Sequence, residues 1–370
     1  MSFKANSKLL EKLLAVVFPV VPAKSPLQQL ESFVLSIKDG MLTVTATDLE
    51  MQISSSMPVQ SEADMDVMLQ AKTILDAMKS FDDVMVNFSL NENKQLQIET
   101  DSGQYSMSID VSNNDIEFPA IDTERKFVFS AATLSRGINL TSYAMSREEL
   151  RPAMTGTLME LSHEGLRFVT TSGHILVRYI NRSVTSSVNE SFILPGKAVS
   201  IIQKLFTEGD VTFYPGDSAV TFANDKVTFS TRLINDKYPD YNSVIPKDNN
   251  QILTFETSKL LAATKRMLIF SEPTFRTVRL DIHKDNRVEI SAGDQQRGSH
   301  AKETIYSRYL GEPMEIAFNG QYLIDILATM EDSEIVLKLE KPSKAGIITP
   351  VKDQENEELL VLLMPIRLNR

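Results

Sequence analysis

The chain has 370 residues, 42% of them apolar, with a formal net charge of −11 and no cysteine. That length exceeds one ordinary core and suits two or three domains, while the missing cysteines exclude a disulfide framework, a thiolate metal site and a cysteine nucleophile. The longest apolar runs, such as Leu359 to Met364, fall well short of the roughly 20 residues a membrane helix needs, and the N-terminus lacks a charged-then-apolar leader. The expectation is a soluble, cytoplasmic protein without cofactor or metal.

Taken in chain order, the elements repeat three times. Ser7, Thr133 and Ser258, spaced 126 and 125 residues apart, stand where each could cap a helix running into Lys8-Leu9-Leu10, Leu134 and Lys259-Leu260-Leu261. Alternating strand-like runs follow at Leu42 to Ala46, Leu166 to Thr170 and Val288 to Ala292. Second helices are expected at Ala71 to Phe81, Gly196 to Phe206 and Gly320 to Met330, with Ile74, Val199 and Leu323 in matching places. Each copy closes on an apolar residue and proline: Phe118-Pro119, Tyr238-Pro239 and Met364-Pro365. Polar turns such as Asn91-Glu92-Asn93, Asn224-Asp225 and Asp285-Asn286 separate the strands. Four features in one order at nearly constant spacing point to three homologous α+β domains with antiparallel sheet and two helices each, at 1–122, 123–247 and 248–370.

An acidic chain is a poor candidate for phosphate binding unless its cations are gathered together. They are. The helix windows 3–16, 69–81, 133–147, 195–206, 257–270 and 319–330 carry a formal +9 between them, against −11 for the whole chain. Helix propensity favours lysine and glutamate alike, yet Glu11 is the one glutamate in these windows. A basic surface assembled from the helices, including Lys8, Lys12, Arg136, Lys197, Lys259 and Arg266, could follow a phosphate backbone without reading bases.

Four segments carry a resemblance that spans the whole chain: Thr45-Ala-Thr-Asp-Leu-Glu-Met51, Thr171-Ser-Gly-His-Ile-Leu176, Tyr238-Pro-Asp-Tyr-Asn-Ser-Val-Ile-Pro246 and Met364-Pro-Ile-Arg-Leu368. In this order, with threefold repetition, the sequence resembles the beta subunits of bacterial DNA polymerase III, the sliding clamps. The resemblance implies a head-to-tail homodimer, a six-domain ring with helices lining the hole and sheets outside, closed around double-stranded DNA. Lys24 and Lys72 join the DNA-facing set by family position.

It also implies a cleft between the second and third domains that captures short peptides from the DNA polymerase III alpha subunit, the clamp loader, other polymerases and repair proteins. Its residues here would be Gly173, His174, Leu176, Pro239, Val244, Met364, Pro365 and Arg367, with Arg151, Met154, Thr171, Leu362 and Ile366 nearby. That mix is mostly apolar with a few polar groups, as a peptide pocket requires; Gly173 would permit close backbone approach and Met364 would adapt to varied ligands. The chain departs from the family at Ile175, where arginine is usual, at Ser172 in place of aspartate, at the small Pro152 and Ala153, and in ending two residues late on Asn369 and Arg370. Across the subunit boundary the family brings together regions that hold Tyr105 and Met107 at one end of this chain and Ile269 and Phe270 at the other; as plain sequence, the latter pair could equally be core.

Two rival functions fit the sequence less well. An enzyme, such as a metal-dependent nuclease or a polymerase subunit, should break the repeat symmetry with clustered carboxylates, and Asp82-Asp83 reads instead as a solvated turn. Gly196-Lys197 lacks the earlier glycine and following hydroxyl of a phosphate loop. A scaffold that binds only proteins would leave the basic helices unexplained.

Overall fold

The computed structural model describes residues 2–91, 93–109 and 123–368. Glu92, Phe118-Pro119, the boundary at 122, and Asn369 with Arg370 lie outside the described residues. The fold divides into two compact units, Met1–Ser135 with Ser200–Leu233, and Arg136–Val199 with Ile234–Arg370.

The α-helices among the described residues are α1 (Ser7–Val17), α2 (Ala71–Ser80), α3 (Ala131–Thr141), α4 (Gly196–Leu205), α5 (Thr257–Phe270) and α6 (Gly320–Thr329), and each follows a strand without an intervening residue. The second helix of each copy begins where the sequence places it and stops one residue short. The first helices differ more. Window 3–16 takes in the strand Ser2–Asn6, and window 133–147 runs past the end of α3, so Lys4 and Arg147 are not helical. The helices themselves carry a formal +7.

The expected caps are also corrected. Asn6, not Ser7, caps α1, accepting from the Lys8 and Leu9 amides at 3.0 Å each. Thr133 receives a cap instead of giving one: its amide donates to Ser130 Oγ at 3.1 Å. The Ser258 hydroxyl donates to Glu256 rather than accepting from the backbone. The cause is a tertiary bond at the first helical residue. The amides of Ser7, Ala131 and Thr257 donate to Val84, Gly209 and Ser333 carbonyls, and the Ser7 and Thr257 hydroxyls donate to Asp82 and Asp332 carbonyls. Each of these helices is thereby pinned to the turn that precedes a later strand.

The strands fall into four-stranded antiparallel modules, one per helix, with the helix-leading strand at one end. In the first unit, Ser2–Asn6, Met85–Leu90, Gln95–Thr100 and Gly103–Ser108 form one module, with the short strand Gln60–Ser61 added beyond Ser2–Asn6. Met65–Gln70, Ser32–Lys38, Met41–Thr47 and Met51–Pro58 form a second, and Phe127–Ser130, Asp210–Tyr214, Ala219–Ala223 and Val227–Arg232 a third. The last two are fused through Met51–Pro58 and Val227–Arg232 into an eight-stranded sheet. In the second unit, Glu190–Pro195, Gly156–Ser162, Gly165–Thr171 and Ile175–Asn181 are fused to Glu357–Leu363, Gly346–Pro350, Glu334–Leu339 and Gln251–Glu256, with Arg308–Leu310 added at the far edge. Met314–Asn319, Thr277–Ile282, Arg287–Asp294 and Ser299–Tyr306 complete the set.

Period-two patterning explains these sheets. Phe33, Leu35 and Ile37 alternate with Leu42, Val44 and Ala46 on the buried face, while Ser36, Thr43 and Thr45 turn outward. α1 packs on α2 and over this sheet, and α5 packs on α6 and on the strands Arg287–Asp294 and Ser299–Tyr306. No helix among the described residues is long and apolar enough to cross a membrane.

Candidate functional site

The expected cleft residues lie in the second unit, around the fused strands Ile175–Asn181 and Glu357–Leu363. Leu176 and Leu362 are register partners there, both buried, and they share an apolar cluster with Ala153, Leu158, Val169, Ile193, Tyr241, Ala345 and Ile347. The turn before Leu176 is tightly bonded. Thr171 Oγ1 donates to the Ile175 carbonyl at 2.7 Å and accepts from the Gly173 amide at 3.0 Å. Gly173 has φ +85°, a left-handed conformation that favours glycine. A Cβ there would lie 3.7 Å from Met154 Cε and 3.9 Å from Arg151 Nη1, which is ordinary contact. The backbone angle, not close approach, is what requires glycine. The same contacts bring Met154 and Arg151 to the turn.

His174 is exposed, its carbonyl accepts from the Met364 amide at 2.8 Å, and its ring stacks on Tyr322 of α6 with centroids 6.1 Å apart. Ile366 bonds back to the Ala317 carbonyl, so Met364, Pro365 and Ile366 run from the His174 turn onto the neighbouring sheet. Arg367 and Ile366 face a separate open groove of about 1080 Å³ beside Phe275, Arg279 and His300. The C-terminal run thus serves two surfaces.

The segment Tyr238 to Val244 packs on the same apolar cluster through Tyr238 and Tyr241 and ends in a 3-10 turn, Tyr241–Val244. The Tyr238 hydroxyl donates to the Val169 carbonyl at 3.2 Å, Pro239 is exposed between the two tyrosines, and Val244 is 56% exposed. Burial, reinforced by the Glu160 carboxylate, pushes the Tyr241 phenol above its ordinary value and keeps it a proton donor. Tyr241, Tyr322, Ile347 and Ala345 were not singled out from the sequence. Tyr241 sits inside the quoted Tyr238 to Pro246 segment, and its burial could have been suspected there; the Tyr322 stacking had no local signal.

The departures are accommodated. Ile175 is 2% exposed in the core of the second unit, so a residue that replaces a cation has become a packing group. Ser172 Oγ accepts weakly from the Ile175 amide at 3.4 Å, and Ala153 fills the apolar cluster under the 3-10 turn that Pro152 opens.

The basic candidates separate into two groups. Lys12 on α1, Lys72 on α2, Lys197 on α4 and Lys24, which follows the 3-10 turn Phe18–Val20 and is not helical, are all exposed. The others are engaged with carboxylates: Lys8 with Glu11 at 3.0 Å, Lys259 with Glu256 at 2.6 Å and Arg266 with Glu303 at 2.8 Å. Arg136 donates to Glu357 at 2.7 Å and to Glu331 at 2.9 Å, a clasp between two acids. Exposed Lys79, Lys204 and Lys265 are helical cations that the candidate set omitted.

The end residues are well exposed. Ile269 is 77% and Phe270 39% exposed at the end of α5, so neither is core; Tyr105 is 48% exposed in the edge strand Gly103–Ser108 and leans on Phe81 at 5.3 Å, with Met107 half-buried beside it.

Family comparison accounts for this arrangement along almost the whole chain. Residues 1–122, 129–240 and 242–367 match, in turn, the N-terminal, central and C-terminal domains of the DNA polymerase III beta subunit. The chain belongs to the DNA polymerase III beta subunit family. Members of this family are non-catalytic processivity factors. The beta sliding clamp of Pseudomonas aeruginosa is 26% identical, with 100% of each chain covered. A crystal structure of the DNA polymerase III beta subunit from the same organism has a TM-score of 0.93 at 25% identity, again over 100% of both chains. The Bacillus subtilis sliding clamp, at 21% identity and TM-score 0.94 over 100% of both chains, speaks for the fold alone.

Proposed function

We propose that two copies of this chain close head to tail around duplex DNA and tether the replicative polymerase through the Leu176–Leu362 cleft. The observation that carries this is the state of the module edges. Of six outer strands, Met51–Pro58 is fused to Val227–Arg232 and Ile175–Asn181 to Glu357–Leu363, while Gly103–Ser108 and Ser299–Tyr306 end their sheets unpaired among the described residues. Open strand edges flanked by exposed apolar side chains are an aggregation liability that pairing removes. Joining the two open edges between copies repeats the joint the chain already makes twice within itself. The interface is heterologous, so the rotation must close after two copies, or a filament would grow.

The three-domain partition at 122 and 247 belongs to this reading, and the exposed lysines supply its DNA-facing surface. The Tyr238 to Val244 wall, the Gly173 turn and Met364 with Pro365 form the peptide site for the polymerase alpha subunit, the clamp loader and other clients, while Ile366 and Arg367 face the neighbouring groove. The test is retention on DNA: the loaded protein should stay on circular duplex and leave when the circle is cut. A protein-only scaffold would be held by neither form, and an open-groove binder would be held equally by both.

A further inference from the structure

We propose that Tyr241 is a positioning residue for peptide capture: clamped by Glu160 and Arg167, its phenol sets the distance between the Pro239 and Val244 wall and the floor of the cleft. This rests on the peptide-cleft reading above. After Ile234 and Asp236, no backbone-to-backbone bond among the described residues ties 237–248 to a strand. Side chains do that work. Tyr238 reaches the Val169 carbonyl, and the Tyr241 hydroxyl donates to Glu160 Oε2 at 2.7 Å while accepting from Arg167 Nη1 at 3.0 Å.

Glu160 and Arg167 are register partners on Gly156–Ser162 and Gly165–Thr171, joined to each other at 3.1 Å, with Arg167 also held by Glu164 at 2.7 Å. Their position is therefore fixed by the same strand pairing that positions Leu158 and Val169, which pack with Leu176 and Leu362 in the floor. Arg167 Nε is buried without a partner, so the guanidinium is aimed at this triad at the expense of one of its own donors. A hydrogen bond to a charged acceptor is short and directional, which suits a group that must hold a wall and not merely fill space. Tyr241 itself is 6% exposed and lies below the surface that carries Val244. It acts on a ligand through that wall.

The experiment is a double-mutant cycle on the full chain, with a labelled copy of the clamp-binding peptide of the polymerase alpha subunit as probe. Tyr241→Phe should weaken the peptide roughly five- to twentyfold, the effect of losing one charge-assisted hydrogen bond, mainly through faster release. Val244→Ala should weaken it in the parent chain but by less than about twofold once Tyr241→Phe is present, because the two act through one wall. Additive losses, or an unchanged affinity in Tyr241→Phe, overturn the proposal. Glu160→Gln separates positioning from plain stability, since the amide oxygen still accepts from the phenol while the Arg167 ion pair is lost. It should lower the urea midpoint yet hold peptide affinity within about twofold. Affinity that falls in step with stability in both variants makes Tyr241 a structural residue and also overturns the proposal. The cleft reading is checked apart from the triad: a folded His174→Ala, Met364→Ala double variant that binds the probe normally removes the cleft itself.

Discussion

Two joints fuse edge strands within this chain, and their chemistry differs. Along Met51–Pro58 and Val227–Arg232 the outward pairs are uncharged, with Thr228 opposite Ser54 and Ser230 opposite Gln52. Hydroxyl pairs continue on either side, Thr45 with Ser54 at 2.9 Å and Thr221 with Ser230 at 2.7 Å. The joint of Ile175–Asn181 with Glu357–Leu363 is laced by ions instead. Arg178 and Arg182 both hold Glu358, and Arg136 holds Glu357 and Glu331. One topology is thus closed mainly by short hydroxyl bonds in one unit, with Arg232 donating to the Leu49 carbonyl, and by arginine–glutamate pairs in the other. Backbone pairing makes the joint, and the side chains decide what solution conditions it answers to.

The largest expected effect comes at the proposed joint between the edge strands Gly103–Ser108 and Ser299–Tyr306 of two copies. Ile269→Ala with Phe270→Ala removes two large exposed side chains, each worth roughly 1.5–3 kcal/mol when buried in an interface. The expected product is a folded monomer by analytical ultracentrifugation at low micromolar concentration that binds client peptide and is not retained on circular DNA. A variant that stays dimeric at that concentration removes these residues from the joint. The ionic joint comes next. Arg136→Met leaves Glu357 half-buried without its cation and should cost about 1–3 kcal/mol in urea unfolding of the second unit, whereas Thr228→Val in the neutral joint should cost under about 1 kcal/mol. Raising salt to about 0.5 M should narrow the gap between parent and Arg136→Met and leave Thr228→Val unaffected. Equal salt responses would erase the distinction between the joints.

Surface charge should matter less to stability and more to DNA. Reversing Lys24, Lys72 and Lys197 to glutamate should keep the dimer and its melting temperature while flattening the salt dependence of DNA binding, whose slope is roughly −0.9 per phosphate neutralised. An unchanged slope would move the DNA-facing surface elsewhere. The smallest effect is a pH response of the third four-stranded module of the second unit. Hydrogen bonding to Arg266 holds Glu303, and to Lys302 holds Glu289, below the ordinary carboxylate range. Carboxylates depressed in the folded state stabilise it fully above their unfolded value, about 4.3, and lose that contribution as pH falls through the folded value. Glu303→Gln should therefore lower the melting temperature slightly at neutral pH and not at all in strong acid.

Much of this fold was legible because its signals are local. The starts of α2, α4 and α6 and the strand alternation follow from composition and spacing within short windows. The caps at Ser7 and Ser258 misled because residues at those helix starts serve long-range bonds, Ser7 to Asp82 and Thr257 to Asp332, that no short window contains. The ion pairs of Arg136 had no local signal for the same reason: the acids it meets stand 195 and 221 residues away in the chain. His174 could be named from its motif, but Tyr322, which its ring stacks on, comes from α6, far along the chain, and had to be seen.

The pairing of Lys8, Lys259 and Arg266 with nearby glutamates bears on how a duplex would travel past the helices. A lysine alone in water meets a passing phosphate as a deep well, and a protein studded with such wells would hop slowly from one to the next. A cation that already has a carboxylate at hand exchanges one anion for another, so arrival and departure cost nearly the same. In the proposed ring the grip would be shared among many weak, replaceable contacts, so the ring would slide with little friction while remaining topologically captive.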